Sequence, residues 1–555
     1  MKPQSAINTT SFLIVILLII TTTEIFAQTY FANELKQKVS THLQLQLAVS
    51  EDKFKLEHLN QRELEVQHNT ISFYQNRNFI PVWFNQDGKL KNTGYELLEE
   101  INATKNPALF FEGELGKTLG AYNNIKPENY FVQANQIAQT EIAFTRVFFQ
   151  LSQINLYGYV TPTDVPSVAW HLPSRVRNFV SALNFAVDHD NVHAGLRSIL
   201  PQNPEYDALI QFKNKYELIA QKGGWPTLPE EITKLELGDT SSNILILRMR
   251  LIITDDLDRQ FEDGIEYDEN VALAISHYQK RNGLLVDGRI GKNTWENLNV
   301  PVEDRIRQLI VNIERYKWLP ENKGEKFIWV NIPDYTLQYM EHGQLVREHI
   351  VVTGAKKHQT PCFNSYITNV VLNPYWNVPY SITKDEIAPK LSEDAEYLLN
   401  KNYEVLNGWG PNNVVEPGED LNLKNGNYRV RQKPGPGNAL GRVKFNLPNK
   451  WSIYLHDTPS KSYFQRTHRA YSHGCVRVKD PRDLAAAVLN SSGSWDRNEI
   501  DEVINSGKTK EIGIKDHINV YIVYMTAFID GDGHLQLRED VYGRDREIDH
   551  ALSQI

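Results

Sequence analysis

Ile453-Tyr454-Leu455-His456-Asp457-Thr458-Pro459, followed by Arg469-Ala470-Tyr471-Ser472-His473-Gly474-Cys475-Val476-Arg477, is where the chemistry of this chain concentrates. Cys475 is flanked by glycine and histidine, with arginines six residues before it and two after. Positive charge in that setting stabilises a thiolate, so Cys475 is a candidate nucleophile. His456, nineteen residues upstream on an alternating, strand-like stretch, can return across a loop to meet the thiol. That is the Cys–His pairing nucleophilic acyl transfer requires. Spacing alone leaves the pairing open.

The only other cysteine, Cys362, follows Thr360-Pro361 on an expected strand with no histidine or arginine beside it in sequence. It reads as a packed, inert thiol; a disulfide with Cys475 would abolish the chemistry. No metal is expected. There is no His-Glu-x-x-His or paired Cys-x-x-Cys to hold zinc. Asp530-Gly531-Asp532-Gly533 fails as a calcium loop, because aligning Gly533 with the sixth position puts Phe528 at the first. A hairpin turn is the better reading.

Outward from this core, 555 residues predict two to four domains. A hydrophobic content of 41% and charged content of 23% fit folded, water-facing domains. The formal charge of −9, without a Lys/Arg block, argues against nucleic acid as a partner. Met1-Lys2, the apolar run Phe12 to Ile20 and Ala27 read as a signal peptide over 1–27, since the run is short of the ~20 residues that span a bilayer. Export is expected, with the body outside the cytoplasm; the alternative is an uncleaved membrane anchor, the one membrane contact foreseen. Two cysteines make no disulfide framework, so stability must come from packing.

From 28 to 222 the apolar residues fall at helical spacing, as in Ile142 to Phe149, and predict an α-helical domain. Gly223 to Pro229 reads as a linker. A module follows over 230–300, then an amphipathic connecting helix within 301–325, with Ile306, Leu309, Ile313 and Tyr316 on one face. From Lys326 the period becomes two, predicting a β-rich domain over 326–545. Between 380 and 441 regularity fades into Pro, Gly and Asn, as expected of a lid insertion.

Tyr278-Gln279, Gly283-Leu284, Asp287-Gly288-Arg289-Ile290-Gly291 and Thr294 resemble the three-helix peptidoglycan-binding module, with positive-φ turns expected at Gly288 and Gly291 and a helix start at Thr294. His456-Asp457-Thr458-Pro459 with Ser472-His473-Gly474-Cys475-Val476-Arg477 resembles the signature of the L,D-transpeptidase catalytic domain. Asn373 to Pro379 and Pro434 to Gly441 are similar to the large periplasmic members of that family. The resemblance implies a multidomain α+β protein: α-helical N-terminal scaffold, small three-helix peptidoglycan-binding module, and β-rich L,D-transpeptidase catalytic domain with a long lid insertion. It further implies a periplasmic enzyme of cell-wall biogenesis that forms 3→3 cross-links, is acylated by carbapenems and needs no cofactor. Its partners would be peptidoglycan stem peptides and glycan. Cys475 is then the nucleophile, His456 the proton donor and acceptor, Gly474 a source of oxyanion-binding backbone and His473 a support. Asp457 orients the base through its carbonyl or its carboxylate. Tyr454, Arg469, Ser472, Arg477 and Trp376 are candidate substrate contacts, with loop bracing an equal reading for the arginines. The residues leave open resolution of the acyl-enzyme by water, attachment of an envelope protein, and a non-catalytic wall-binding scaffold.

Overall fold

The computed structural model describes residues 9–50, 59–408, 413–416, 421–490 and 495–555, the side chains of 9–27 and 49–50 excepted. The side chains of the expected export segment thus lie outside the described residues. Among those described, no helix is long and apolar enough to cross a membrane. The chain forms two compact units: residues 1–159, 175–202 and 555 in one, 160–174 and 203–554 in the other.

The first unit is helical. Its central helix, Ala134–Tyr157, buries Ile142, Phe144, Phe148 and Phe149. A carboxylate sits in this core: that of Glu141 accepts from the backbone N–H groups of Val82 and Trp83 and from the Tyr74 hydroxyl. Burial pushes its pKa up to about 7 against the pull of those donors.

In the second unit, Pro204–Gln221 packs along Val302–Trp318. The expected helical span 28–222 is therefore not one compact body. Tyr206, Leu209 and Tyr216 form a stripe that is buried, Tyr206 near Tyr316 with ring centroids 6.4 Å apart. The module's helices Asn243–Ile253, Glu269–Arg281 and Lys292–Leu298 surround Leu247, Leu251, Val271, Ile275 and Leu298. Its motif residues make the fold: the Gln279 side chain accepts from the N–H groups of Asp287 and Gly288 and donates to Arg289 O. Two local expectations are corrected. Gly291 is extended (φ −76°) and is itself the cap of the last helix, so Thr294 lies inside that helix and accepts from Gln279. The positive φ values are at Gly288 (+67°) and Gly283 (+66°). A Cβ on Gly283 would stand 2.6 Å from Arg538 Cδ, so this glycine also permits the β-rich domain to dock on the module.

The β-rich domain is a closed ring of eight strands. In chain order they are β1 Lys326–Asn331, β2 Thr336–Glu341, β3 Gln344–Gly354, β4 Cys362–Leu372, β5 Val443–Asn446, β6 Leu455–His456, β7 Val476–Val478 and β8 Lys510–Val523. Around the ring the order is β4-β5-β6-β7-β3-β2-β1-β8, and β8 pairs back onto β4. Closure leaves no ring strand with a free edge along its whole length. Alternation sends Ile328, Val330, Ile367, Phe445, Leu455, Val476, Val520 and Ile522 into a buried interior.

The segment after β4 differs from the expected irregular lid. Trp376–Asn377, Tyr403–Asn407, Val414–Val415 and Tyr428–Gln432 form a separate four-stranded antiparallel sheet over a core of Val378, Ile387, Leu398, Val405, Leu423 and Val430. Strands of two to five residues between turns carry too few alternations to register as a period. Residues 409–412 and 417–420 of the expected insertion lie outside the described residues.

Candidate active site

The site is built by register. β6 pairs parallel with β7, matching Leu455 to Val476 and His456 to Arg477, and antiparallel with β5, matching Lys444 to His456. Leu455 and Val476 point into the ring, so their neighbours point out. Tyr454, His456, Cys475, Arg477 and Lys444 therefore share one outer face.

Cys475 follows a loop that three neighbours shape. Gly474 has φ +112°, and a Cβ there would meet nothing nearer than His358 O at 3.8 Å; glycine is required for conformation, not for room. Its carbonyl accepts from Thr360 Oγ1 at 2.8 Å, and the Tyr542 hydroxyl donates to Gly354 O at 2.6 Å beside it. Ser472 Oγ donates to Cys475 O at 2.6 Å and accepts from Gly474 N–H at 3.0 Å. Ser472 is thus committed to the loop rather than presented to a ligand. The Gly474 N–H, expected as an oxyanion donor, is engaged in the same turn.

His456 is buried, and its Nδ1 donates to the Asp457 carbonyl oxygen at 2.5 Å. A carbonyl can only accept, so the proton is on Nδ1 and Nε2 keeps its lone pair. The Asp457 carboxylate is turned away, holding Arg442 N–H at 2.8 Å and the Lys461 ammonium. Burial first, then the Arg477 and Lys444 charges, push the imidazole pKa down to about 3.

Cys475 is half-buried, with Sγ 3.8 Å from Ser452 O. Desolvation raises the thiol pKa, outweighing the Tyr454 donors and the Lys444 and Arg477 charges that lower it. Of the two flanking arginines, Arg477 lowers the thiol pKa in the expected direction, but burial outweighs it. Neutral thiol and neutral imidazole face one side of the ring.

Around this pair the expected contacts divide. The Trp376 side chain lies beside the Tyr454 hydroxyl and lowers its pKa against the larger effect of burial, bringing the insertion to the site. His473 Nε2 lies 2.7 Å from Glu386 of the insertion, and its ring lies 4.7 Å from that of His358. Arg469 donates to Arg466 O at 2.7 Å and lies over the Tyr335 ring, which is bracing. Arg477 lies beside the reacting pair with its guanidinium 5.8 Å from the Tyr463 ring. Two residues were missed. Lys444 Nζ sits 4.3 Å from the Tyr454 ring centroid, its pKa lowered by burial, and only the alternation Val443-Lys444-Phe445 hinted that it faces outward. Glu386 carries no local signal at all.

Cys362 is buried and forms no disulfide with Cys475; Arg544 Nη1 lies 3.2 Å from its sulfur, and burial raises its pKa. The Asp530–Gly533 stretch is the turn of a hairpin between Ala527–Ile529 and Leu535–Leu537.

Family models match three spans in order: a scaffold domain over 68–212, a "Putative peptidoglycan binding domain" over 259–298 and an L,D-transpeptidase catalytic domain over 325–508. A Haemophilus influenzae protein named "Putative L,D-transpeptidase" is 39% identical over 249 residues, 44% of this chain and 49% of that protein. The chain thus spans about half the length of that relative. An L,D-transpeptidase structure from Xylanimonas cellulosilytica shares 16% identity over 54% of this chain and 98% of its own, with TM-score 0.18. One from Stackebrandtia nassauensis shares 15% over 52% and 95%, with TM-score 0.21. The assignment rests on the three sequence models and the relative: the chain carries an L,D-transpeptidase catalytic domain behind a scaffold domain and a peptidoglycan-binding domain, the order its sequence pointed to.

Proposed function

We propose that the chain is an exported peptidoglycan L,D-transpeptidase acting in the periplasm, with Cys475 as nucleophile and His456 as base. The observation that carries this reading is the shared face of Cys475 and His456, with Nδ1 committed to the Asp457 carbonyl so that Nε2 is the basic nitrogen. Export is supported by the apolar run Phe12 to Ile20.

In the proposed reaction, Nε2 removes the thiol proton as sulfur attacks the carbonyl joining the third residue of a tetrapeptide stem to its terminal D-Ala. The sulfur–carbon bond forms and the carbonyl becomes an oxyanion. Among the described residues the Cys475 N–H has no partner, so it is the available oxyanion donor; one such donor contributes about 10²–10³ in kcat. Lys444 and Arg477 offset the negative charge as it develops. The imidazolium returns its proton to the departing D-Ala amine. The side-chain amine of a second stem then attacks the thioester, forming the 3→3 amide and releasing the thiol. The insertion, reaching the site through Trp376 and Glu386, excludes the competing water.

The test is mass spectrometry of muropeptides after incubating the mature protein with tetrapeptide-containing sacculi. Dimers joined through two third-position residues, with free D-Ala, are expected; tripeptide monomers alone would mean hydrolysis instead of transfer.

A further inference from the structure

The nucleophile sits among three consecutive peptide planes, and two hydroxyl side chains hold them. Ser472 Oγ accepts from the Gly474 N–H at 3.0 Å and donates to Cys475 O at 2.6 Å, which fixes the planes before and after. The plane between them joins the Gly474 C=O to the Cys475 N–H, the proposed oxyanion donor. Local sterics do not set its rotation, because Gly474 has no Cβ and stands at φ +112°, a region open to glycine. The peptide is trans, so its C=O and N–H point in opposite directions. Whatever fixes the carbonyl therefore also aims the N–H.

The carbonyl is fixed by Thr360. This residue is fully buried in the connection between β3 and β4, and its Oγ1 donates to Gly474 O at 2.8 Å. A hydroxyl has one proton to give. Thr360 Oγ1 accepts from the Gly354 N–H at 3.0 Å, so that proton goes to Gly474 O. Its β-branch restricts the rotamer that makes the contact. The Thr360 backbone is held as well: its N–H donates to the Tyr542 hydroxyl at 3.3 Å, and its carbonyl accepts from Arg544 Nη2 at 3.0 Å. The Tyr542 hydroxyl donates in turn to Gly354 O at 2.6 Å, and the Tyr542 N–H donates to the Tyr524 hydroxyl at 2.8 Å. Tyr542 and Arg544 are both buried, with the Arg544 guanidinium 4.9 Å from the Tyr524 and Tyr542 ring centroids. Both stand far after Cys475 in sequence, so no motif around the nucleophile announces them.

We propose that Thr360 is a positioning residue for acyl transfer: its hydroxyl turns the Gly474–Cys475 peptide so that the carbonyl faces the buried interior and the Cys475 N–H faces the substrate carbonyl under attack. As that carbonyl oxygen gains charge, the donor is already aimed and no reorganisation is needed. Without the hydroxyl the plane rotates about the bonds flanking it, and the donor is lost although Cys475 and His456 remain in place. Tyr542 and Arg544 act one step further back, by holding Thr360.

This role rests on the transpeptidase reading above, and two reagents for the same thiol separate the two. A carbapenem forms an oxyanion when Cys475 attacks its lactam carbonyl, whereas iodoacetamide alkylates the sulfur by displacing iodide and forms none. Both rates are followed by intact mass on the full-length wild type, Thr360→Val and Thr360→Ser, over a range of reagent concentrations. Thr360→Val is expected to slow the carbapenem step on the order of 10- to 100-fold, near the ~10²–10³ that removing a donor costs, while the half-saturating lactam concentration and the alkylation rate stay unchanged. Thr360→Ser, which keeps the hydroxyl, recovers most of the acylation rate. A purely structural role would slow both reactions together, and that result overturns the proposal. An unchanged carbapenem rate in Thr360→Val, or no recovery in Thr360→Ser, overturns it equally. Should Thr360→Val fail to fold, Tyr542→Phe keeps the ring, removes the hydroxyl that meets Thr360 N–H and Gly354 O, and gives the same comparison with a smaller fall. A wild-type protein that iodoacetamide alkylates at Cys475 but no carbapenem acylates sinks the proposed function and this role with it; acylation indifferent to Thr360 sinks the role alone.

Discussion

His456 Nδ1 donates its proton to the main-chain oxygen of Asp457 at 2.5 Å, while the Asp457 carboxylate points to Arg442 and Lys461. The base is oriented by a backbone atom that no side-chain substitution removes. Asp457→Asn is accordingly expected to keep acylation by a small lactam within about threefold, whereas losing a general base costs ~10²–10⁴. His456→Ala should show that larger loss. A drop beyond about 100-fold in Asp457→Asn, with an unchanged melting curve, would return the orienting role to the carboxylate.

The resting pair is neutral on both sides, His456 with a pKa of about 3 and Cys475 raised by burial. Acylation should therefore not fall between pH 7 and 5, where an ordinary histidine near ~6.5 would take up a proton. It should rise above the ordinary thiol range as Cys475 ionises. Stopped-flow acylation across pH 4.5–10 checks this, and an acid limb centred at pH 6–7 would contradict it. The sign for stability follows from linkage. The unfolded imidazole binds a proton below ~6.5 and the folded one does not until about 3, so folding loses stability as pH falls through that window.

Glu141 behaves in the opposite sense. Its folded pKa of about 7 exceeds the ordinary 4.5, so its protonated form favours the fold and that contribution is lost as pH rises from 4.5 through 7. The window is worth at most about 3 kcal/mol. Glu141→Gln keeps an acceptor for Val82 and Trp83 and should flatten the dependence. Hydrogen-exchange mass spectrometry on peptides spanning 70–150 at pH 5 and pH 8 reads it locally; an unchanged pH slope in the variant would count against Glu141 as its source.

Cys362 is enclosed beside Arg544 and takes no part in the proposed chemistry. Cys362→Ala should retain full acylation and cost about 1–2 kcal/mol in stability from the lost sulfur contacts. Cys475→Ala should abolish adduct formation with no comparable loss. Inactivity of Cys362→Ala in a folded protein would reveal a role the present site does not contain.

Glu386 reaches His473 from the insertion at 2.7 Å. Glu386→Gln leaves the small-lactam reaction to Cys475 and His456 and is expected to lower the ratio of transfer to hydrolysis on isolated tetrapeptide muropeptides by severalfold, because the insertion would sit less firmly over the thioester. An unchanged product ratio would make the insertion a passive attachment.

How far the sequence could be read depended on whether the signal was local. Helical spacing marked Ala134–Tyr157 and Val302–Trp318, alternation marked β1, and Ser472 to Arg477 pointed to the candidate nucleophile without a coordinate. The insertion's sheet stayed hidden because its strands are only two to five residues long. Gly291 was misjudged because a glycine in a motif does not announce whether it supplies a positive φ or an extended cap.

What the sequence determined by itself was the order of domains, and it pointed to Cys475 and His456 as the candidate pair, since both readings rest on motifs of residue types at fixed spacing. What only the tertiary structure decided was the state of that pair. Lys444 reaches His456 through β5–β6 register, Glu386 reaches His473 from eighty-seven residues away, and the Asp457 carbonyl rather than its carboxylate meets Nδ1. Charge flanking Cys475 in sequence argues for a thiolate, but burial decides for the thiol, because desolvation acts on the whole enclosed volume and a sequence lists only the neighbours along the chain.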